Sequence, residues 1–266
     1  MGVNAKPKNS SLVTQGNHKP FAPLPALLYA QNMKRTLMVF AFLMSLPVDT
    51  YANECVILLH GLARTSNSMN RMEQALNTAG YRVINHGYPS RKHNVATLAE
   101  TEIPAALSHC QGADAVHFVT HSLGGILVRY FLAENNFPEL GKVVMLGPPN
   151  QGSHVVDRMH NIPGYKLING KAGMQLGTGS DNLPERLPPA DFESGVIAGT
   201  RSINLILSLM LPGPNDGKVT VEHTRLDGMA DHITVPVSHP FLMRNRQVIR
   251  QVLFFLATGQ FEQSTD

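Results

Sequence analysis

Apolar residues run along this chain in two alternating rhythms. Short, mainly apolar runs without clean alternation occur at Cys55–Leu59 (CVILL), Val116–Thr120 (VHFVT) and Lys142–Leu146 (KVVML). They are too continuous for a strand with one wet face and too short for a typical helix, so they predict strands buried on both sides. Tyr81–Asn85 (YRVIN) reads as a further strand, and Gly195–Ala198 and Ile233–Val237 as later ones. Between them the spacing turns helical. Met69, Met72 and Leu76 follow Ser66 and Ser68, either of which can cap a helix that Gly80 would close. Val95–His109 carries Leu98, Ala106 and Leu107 toward one side, with Pro104 inside marking a kink. Leu123–Ala133 (LGGILVRYFLA) is a strongly apolar helix. Strands that alternate with helices predict βαβ units, hence an α/β fold with a mainly parallel sheet and helices on both faces.

The rhythm breaks after residue 152. Residues 153–194 are rich in Gly, Pro and Met and hold no sustained period. So long a stretch inside a domain marks a functional insertion. Val155, Val156, Met159, Ile162, Leu167 and Met174 are candidates to line an apolar pocket there. Ile203–Leu211 (INLILSLML) fits either buried core or an apolar wall open to a lipid chain.

The front of the chain has another character. Met33-Lys34-Arg35 is a short basic start, Thr36–Pro47 an apolar run, and Thr50-Tyr51-Ala52 a small-x-small cleavage pattern. This is the layout of a secretory signal peptide over residues 33–52, cleaved near Ala52. Residues 1–32, upstream of that complete signal, read as an extension foreign to the fold. The expected globular body is 53–266, in the periplasm or secreted. Its two cysteines, Cys55 and Cys110, would meet an oxidising compartment, as a disulfide or as separate buried thiols.

Charge narrows the partners. The net charge is +3, but five of the 22 Lys/Arg and one of the 19 acidic residues lie in 1–52. The body therefore carries 17 basic and 18 acidic side chains. That balance gives no electrostatic case for nucleic acid or acidic partners.

The sharpest motif is Thr120-His121-Ser122-Leu123-Gly124, followed by Gly125, where strand VHFVT meets helix LGGILVRYFLA. A tight strand-to-helix turn that exposes a serine hydroxyl is a nucleophile elbow, and small residues must flank it. Here the chain resembles the α/β-hydrolase family, in its bacterial lipase and esterase branch. Segments such as ECVILLHGLARTSNSM and VTHSLGGILVRYF look like proteobacterial lipase-like hydrolases, and more distantly like inositol-deacylase-like lipases. The usual pattern is Gly-x-Ser-x-Gly, and Thr120 replaces its first glycine.

The resemblance implies a sheet of about six strands, with 153–194 as a cap or lid, and a triad in the order Ser, Asp, His. Ser122 is then the nucleophile; Ser153 lacks an elbow. The base must lie past the carboxyl end of a strand. His239, just beyond Ile233–Val237, satisfies this. His232 sits at the start of that run, and His223 in the strand-like VTVEHTRL lies close to the candidate acid. For the acid, Asp216 in an Asp-Gly-x-Val segment matches the family's loop, ahead of Asp191, Asp227 and Asp231. Leu59-His60-Gly61-Leu62 resembles the family's oxyanion loop, so the amides of Leu62 and Leu123 would form the oxyanion hole. His60, Gly61 and His121 are expected against the substrate, and Gly147–Ser153 as another wall.

The implied activity is hydrolysis of small-molecule or lipid carboxylic esters, with transient contact to a lipid surface. Acyl transfer or amide hydrolysis on the same triad are alternatives. A non-enzymatic binding or chaperone module is a third, against which the intact Ser, Asp and His argue. No metal or organic cofactor is expected. The family also frames the cysteines: Cys55 opens the first strand and Cys110 precedes the third, its expected neighbour, at the edge opposite the site.

Overall fold

The computed structural model describes residues 1–2, 53–209 and 211–263. The leader expected over 33–52, and all but the first two residues of 1–32, lie outside the described residues. Six strands form one sheet: β1 Glu54–Leu59, β2 Arg82–His86, β3 Ala115–His121, β4 Leu140–Leu146, β5 Ser194–Gly199 and β6 Asp231–Val235. Their order is β2-β1-β3-β4-β5-β6, and every pairing is parallel. The helices in chain order are α1 Asn70–Thr78, α2 Val95–Leu107, α3 Leu123–Glu134, α4 His154–Met159, α5 Tyr165–Gly173, α6 Leu183–Arg186, α7 Leu205–Leu209 and α8 Arg246–Thr258.

The two-sided burial read from the apolar runs is real. In β1, Cys55, Ile57 and Leu59 enter one core layer with residues of α2 and α3. Val56 and Leu58 enter the other, with Met72 and Leu76 of α1 and Val252 and Phe255 of α8. All five of these β1 residues are fully buried. With each such side chain contributing about 1.5–3 kcal/mol on burial, β1 favours an apolar residue at successive positions rather than at every second one.

Local signals fared unevenly. Neither Ser66 nor Ser68 caps α1: a 3-10 turn, Ser66–Met69, leads into the helix, and Ser68 Oγ donates to the Thr65 carbonyl at 2.7 Å. α2 is capped by Asn94, whose side chain accepts from the Thr97 amide at 2.8 Å, and it runs through Pro104 on its exposed side. VTVEHTRL is not a strand. It holds a 3-10 turn, Glu222–Thr224, because the Thr224 and Arg225 amides close back on carbonyls three or four residues earlier. β6 ends at Val235, where the Val237 amide turns back onto the Val235 carbonyl.

Ile203–Leu211 is not buried core. Ile206 is 71% and Leu209 86% exposed, while Leu211 turns inward.

Cys55 and Cys110 form a disulfide, with Cα atoms 5.7 Å apart. β1 and β3 are neighbours, so the bond ties the amino end of β1 to the turn that precedes β3. Among the described residues, no helix is long and apolar enough to cross a membrane.

Candidate active site

β3 ends at His121, and Ser122 stands between it and α3 with φ 52° and ψ −117°. A non-glycine residue in this region costs about 1–3 kcal/mol, so the surroundings must hold it there. The Ser122 amide donates to the Leu146 carbonyl of β4 at 2.9 Å, and α3 starts immediately after. The glycines of the motif are dictated by crowding. A Cβ on Gly124 would lie 2.7 Å from the Leu59 carbonyl oxygen, where α3 passes the end of β1. Thr120 is tolerated in place of the family's first glycine because the bare Gly125 faces it: a Cβ there would lie 3.3 Å from Thr120 Oγ1.

Asp216 and His239 arrive from separate loops beyond the carboxyl ends of β5 and β6. The Asp216 carboxylate is buried, and its two oxygens have different partners. Oδ1 accepts from the amides of Lys218 and Val219, both at 2.9 Å, and Oδ2 accepts from His239 Nδ1 at 2.7 Å. The His239 amide also donates to the Asp216 carbonyl at 3.0 Å. A carboxylate oxygen opposite Nδ1 places the proton on that nitrogen and leaves Nε2 as the basic one.

Two further histidines are buried beside this pair. His121 Nε2 donates to the His239 carbonyl at 3.1 Å, and the two rings lie 4.7 Å apart. Desolvation, then the nearby His239, hold the His121 imidazole well below its ordinary pKa, so it stays neutral. Its Nδ1 is buried without a hydrogen-bond partner, beside Gly61. A Cβ on Gly61 would come within 2.6 Å of that nitrogen, so glycine is required at this position by close approach.

His60 is not brought to the cavity. Its Nδ1 donates to the Gly61 carbonyl at 2.9 Å, its Nε2 accepts from the Tyr88 amide at 3.2 Å, and its ring stacks on Tyr88 at 4.1 Å. Tyr88 Oη donates to the His60 carbonyl at 2.5 Å. These bonds, with burial lowering its pKa, make His60 a neutral brace for the loop. The amides of Leu62 and Leu123 donate to no carbonyl among the described residues.

Ser122, His121 and His239 line one cavity of about 290 Å³. Pro149 and Ser153 form part of its wall, as the 147–153 segment led us to expect. The apolar wall differs in part from the candidates. Val155 and Val156 line it, joined by Tyr165, Ile168 and Leu176, whereas Met159, Ile162, Leu167 and Met174 do not. Leu167 is 84% exposed, because Gly170 breaks α5 with φ 66° and ψ −170° and no simple helical face persists.

The rival residues have other partners. Ser153 Oγ donates to the Lys218 carbonyl at 2.7 Å. His232 pairs with Thr224 Oγ1 at 2.9 Å, and His223 Nδ1 lies 3.3 Å from the Gly152 carbonyl. Asp231 accepts from the amides of His232 and Phe261.

Some site residues carried no sequence signal. Arg64 and Lys218 line the cavity mouth. Arg129, buried in α3, donates to the carbonyls of Asn150 and Leu187 at 2.8 and 3.2 Å, and desolvation pushes its pKa down to about 10. It pins the stretch ahead of β5 to the helix behind Ser122. An Arg one turn along an apolar helix from a Ser-x-Gly-Gly start is the only hint the sequence offers.

No protein-family model matches the sequence, and no curated protein sequence matches it. Solved structures do. A lipase of Bacillus licheniformis in its mature form is 20% identical, with a TM-score of 0.60 over 78% of this chain and 92% of that one. A phospholipase of Legionella pneumophila is 21% identical, with a TM-score of 0.54 over 65% of this chain and 45% of that one. A metagenomic carboxyl esterase is 19% identical, with a TM-score of 0.52 over 71% of this chain and 65% of that one. Together with the all-parallel sheet and its two helical layers, these likenesses establish the α/β-hydrolase fold.

Proposed function

We propose that this chain is a serine hydrolase that cleaves carboxylic esters through an acyl-enzyme on Ser122. The observation that carries this reading is the Asp216–His239 hydrogen bond of 2.7 Å, buried beside the one cavity that also holds a serine in an elbow conformation. In this reading His239 Nε2 takes the Ser122 proton as Oγ attacks the ester carbon. Asp216 keeps the imidazole in the required tautomer and stabilises the imidazolium. The amides of Leu62 and Leu123 receive the developing oxyanion, each worth about 3–4 kcal/mol of transition-state stabilisation. The alcohol departs with the proton from His239, and water repeats the sequence to release the acid.

Val155, Val156 and Ile168 offer an apolar wall to the acyl chain, so residues 153–194 act as the cap. The disulfide and the leader pattern both support export to an oxidising compartment. A fluorophosphonate probe and a p-nitrophenyl ester series from short to long acyl chains test the assignment. Labelling and turnover in the wild type, both lost in Ser122→Ala, are expected. Labelling without ester turnover would redirect the reading to acyl transfer or amide hydrolysis, and no labelling would leave a binding module.

A further inference from the structure

Beside the cavity that holds Ser122 lies a larger concavity of about 520 Å³. The two share Arg64, and the second is walled by Pro240 and Phe241, which directly follow His239. Arg64, Arg71 and Arg244 all line it, and no carboxylate does. Among the described residues none of the three pairs with an acidic side chain; the arginines that do, Arg225 and Arg250, are elsewhere. The Arg244 guanidinium rests 4.2 Å over the Phe241 ring, which positions it without neutralising it. Asn67, Ser68 and Asn70 add uncharged polar groups.

This clustering is not a general property of the surface. Residues 53–266 hold 17 basic and 18 acidic side chains, yet three arginines and no carboxylate line this one concavity. Like charges in one cleft repel each other, and they focus a field that draws in anions. Guanidinium forks match phosphate oxygens in particular.

We propose that the substrate is an acyl ester whose alcohol carries a phosphate group, an inference that rests on the esterase reading above. The acyl chain lies along the Val155, Val156 and Ile168 wall, and the phosphate is held by Arg64, Arg71 and Arg244. Only the acyl C–O bond breaks. Ser122 Oγ takes the acyl group, the phosphorylated alcohol leaves with the proton from His239, and water then releases the carboxylic acid. The phosphoester bond is untouched.

The test compares hexanoyl esters of glycerol and of glycerol phosphate, both dispersed as monomers, on the wild type and on Arg71→Gln/Arg244→Gln. Both arginines are exposed, and a thermal melt checks that the double variant folds; the single variants serve if it does not. The wild type is expected to favour the phosphate ester by about tenfold or more in kcat/KM, and the variant to lose most of that ratio. Salt at about 1 M, where the screening length is ~3 Å, should flatten it likewise. Long-chain versions of the pair in vesicles separate the sources: preference in solution marks a dissolved phosphoester, and preference only in vesicles marks a lipid headgroup. A ratio near one in both settings, or a ratio the variant leaves unchanged, overturns the phosphate assignment while leaving the esterase reading intact. Absence of turnover on both esters, together with absence of Ser122 labelling, removes the esterase reading itself.

Discussion

The two ends of the sheet are built on opposite terms. At the amino end, most polar and reactive groups have partners, Ser194 Oγ being a buried exception. Cys55 is bonded to Cys110, His117 Nε2 pairs with Glu54 at 3.0 Å, and Arg82 donates to the Cys110 carbonyl at 2.8 Å. At the carboxyl end, tension is retained. Ser122 and Ala63 are the described non-glycine residues other than at ordinary negative φ, and His121 Nδ1 is buried without a partner. A buried unsatisfied acceptor costs about 1–3 kcal/mol, as does each strained residue. The lesson is a division of labour along the same strands: one end secures the fold, and this lets the other end hold groups in conformations that chemistry needs and packing alone would reject.

The hardest way to break this comparison is at the acid. Asp216→Asn should keep an oxygen toward the Lys218 and Val219 amides but turn an NH₂ toward His239. The imidazole proton then moves to Nε2, and kcat should fall by about ten-thousandfold with little change in melting temperature. A variant with near wild-type kcat would remove Asp216 from the mechanism.

The next test acts on the opposite end. Replacing Cys55 and Cys110 together by alanine should lower stability by about 2–4 kcal/mol, read in denaturant, with kcat unchanged at a temperature where the variant is folded. A fall in kcat at full folding would show that the two ends are not separate.

Acid should weaken both ends. Desolvation holds His60, His117 and His121 below their ordinary pKa of 6.5, so the unfolded chain takes up protons that the native state refuses. Stability therefore rises with pH below that value and flattens above it, by at most about 1.4 kcal/mol per pH unit for each such histidine. Thermal melts between pH 5 and 8 check the sign; a protein more stable at the acid end contradicts it. The smallest effect is the release of strain. Ser122→Gly should gain about 1 kcal/mol in stability, since glycine accepts positive φ, while activity disappears.

Much of this was legible in the chain. The runs CVILL, VHFVT and KVVML located three strands, since burial on both faces makes most positions of a short segment apolar. The elbow was legible because its glycines answer to local crowding. Less was legible where partners come from afar. His60 has the motif position of a site residue, but its ring turns to Tyr88, which lies 28 residues on. Ile203–Leu211 has the apolarity of a core strand or helix, yet much of it faces outward. Arg64, Arg71 and Arg244 belong to no pattern at all.

The sequence by itself determined the layering and the serine's turn, because each follows from neighbouring residues; the chain order of the candidate triad came from the family resemblance. Only the tertiary structure decided which side chains face the cavity, and that three arginines share one concavity. Those facts depend on loops from β1, β5 and β6 meeting in space. Hydrophobic periodicity specifies which face of an element is buried, and it carries no information about where the exposed loops of different elements converge.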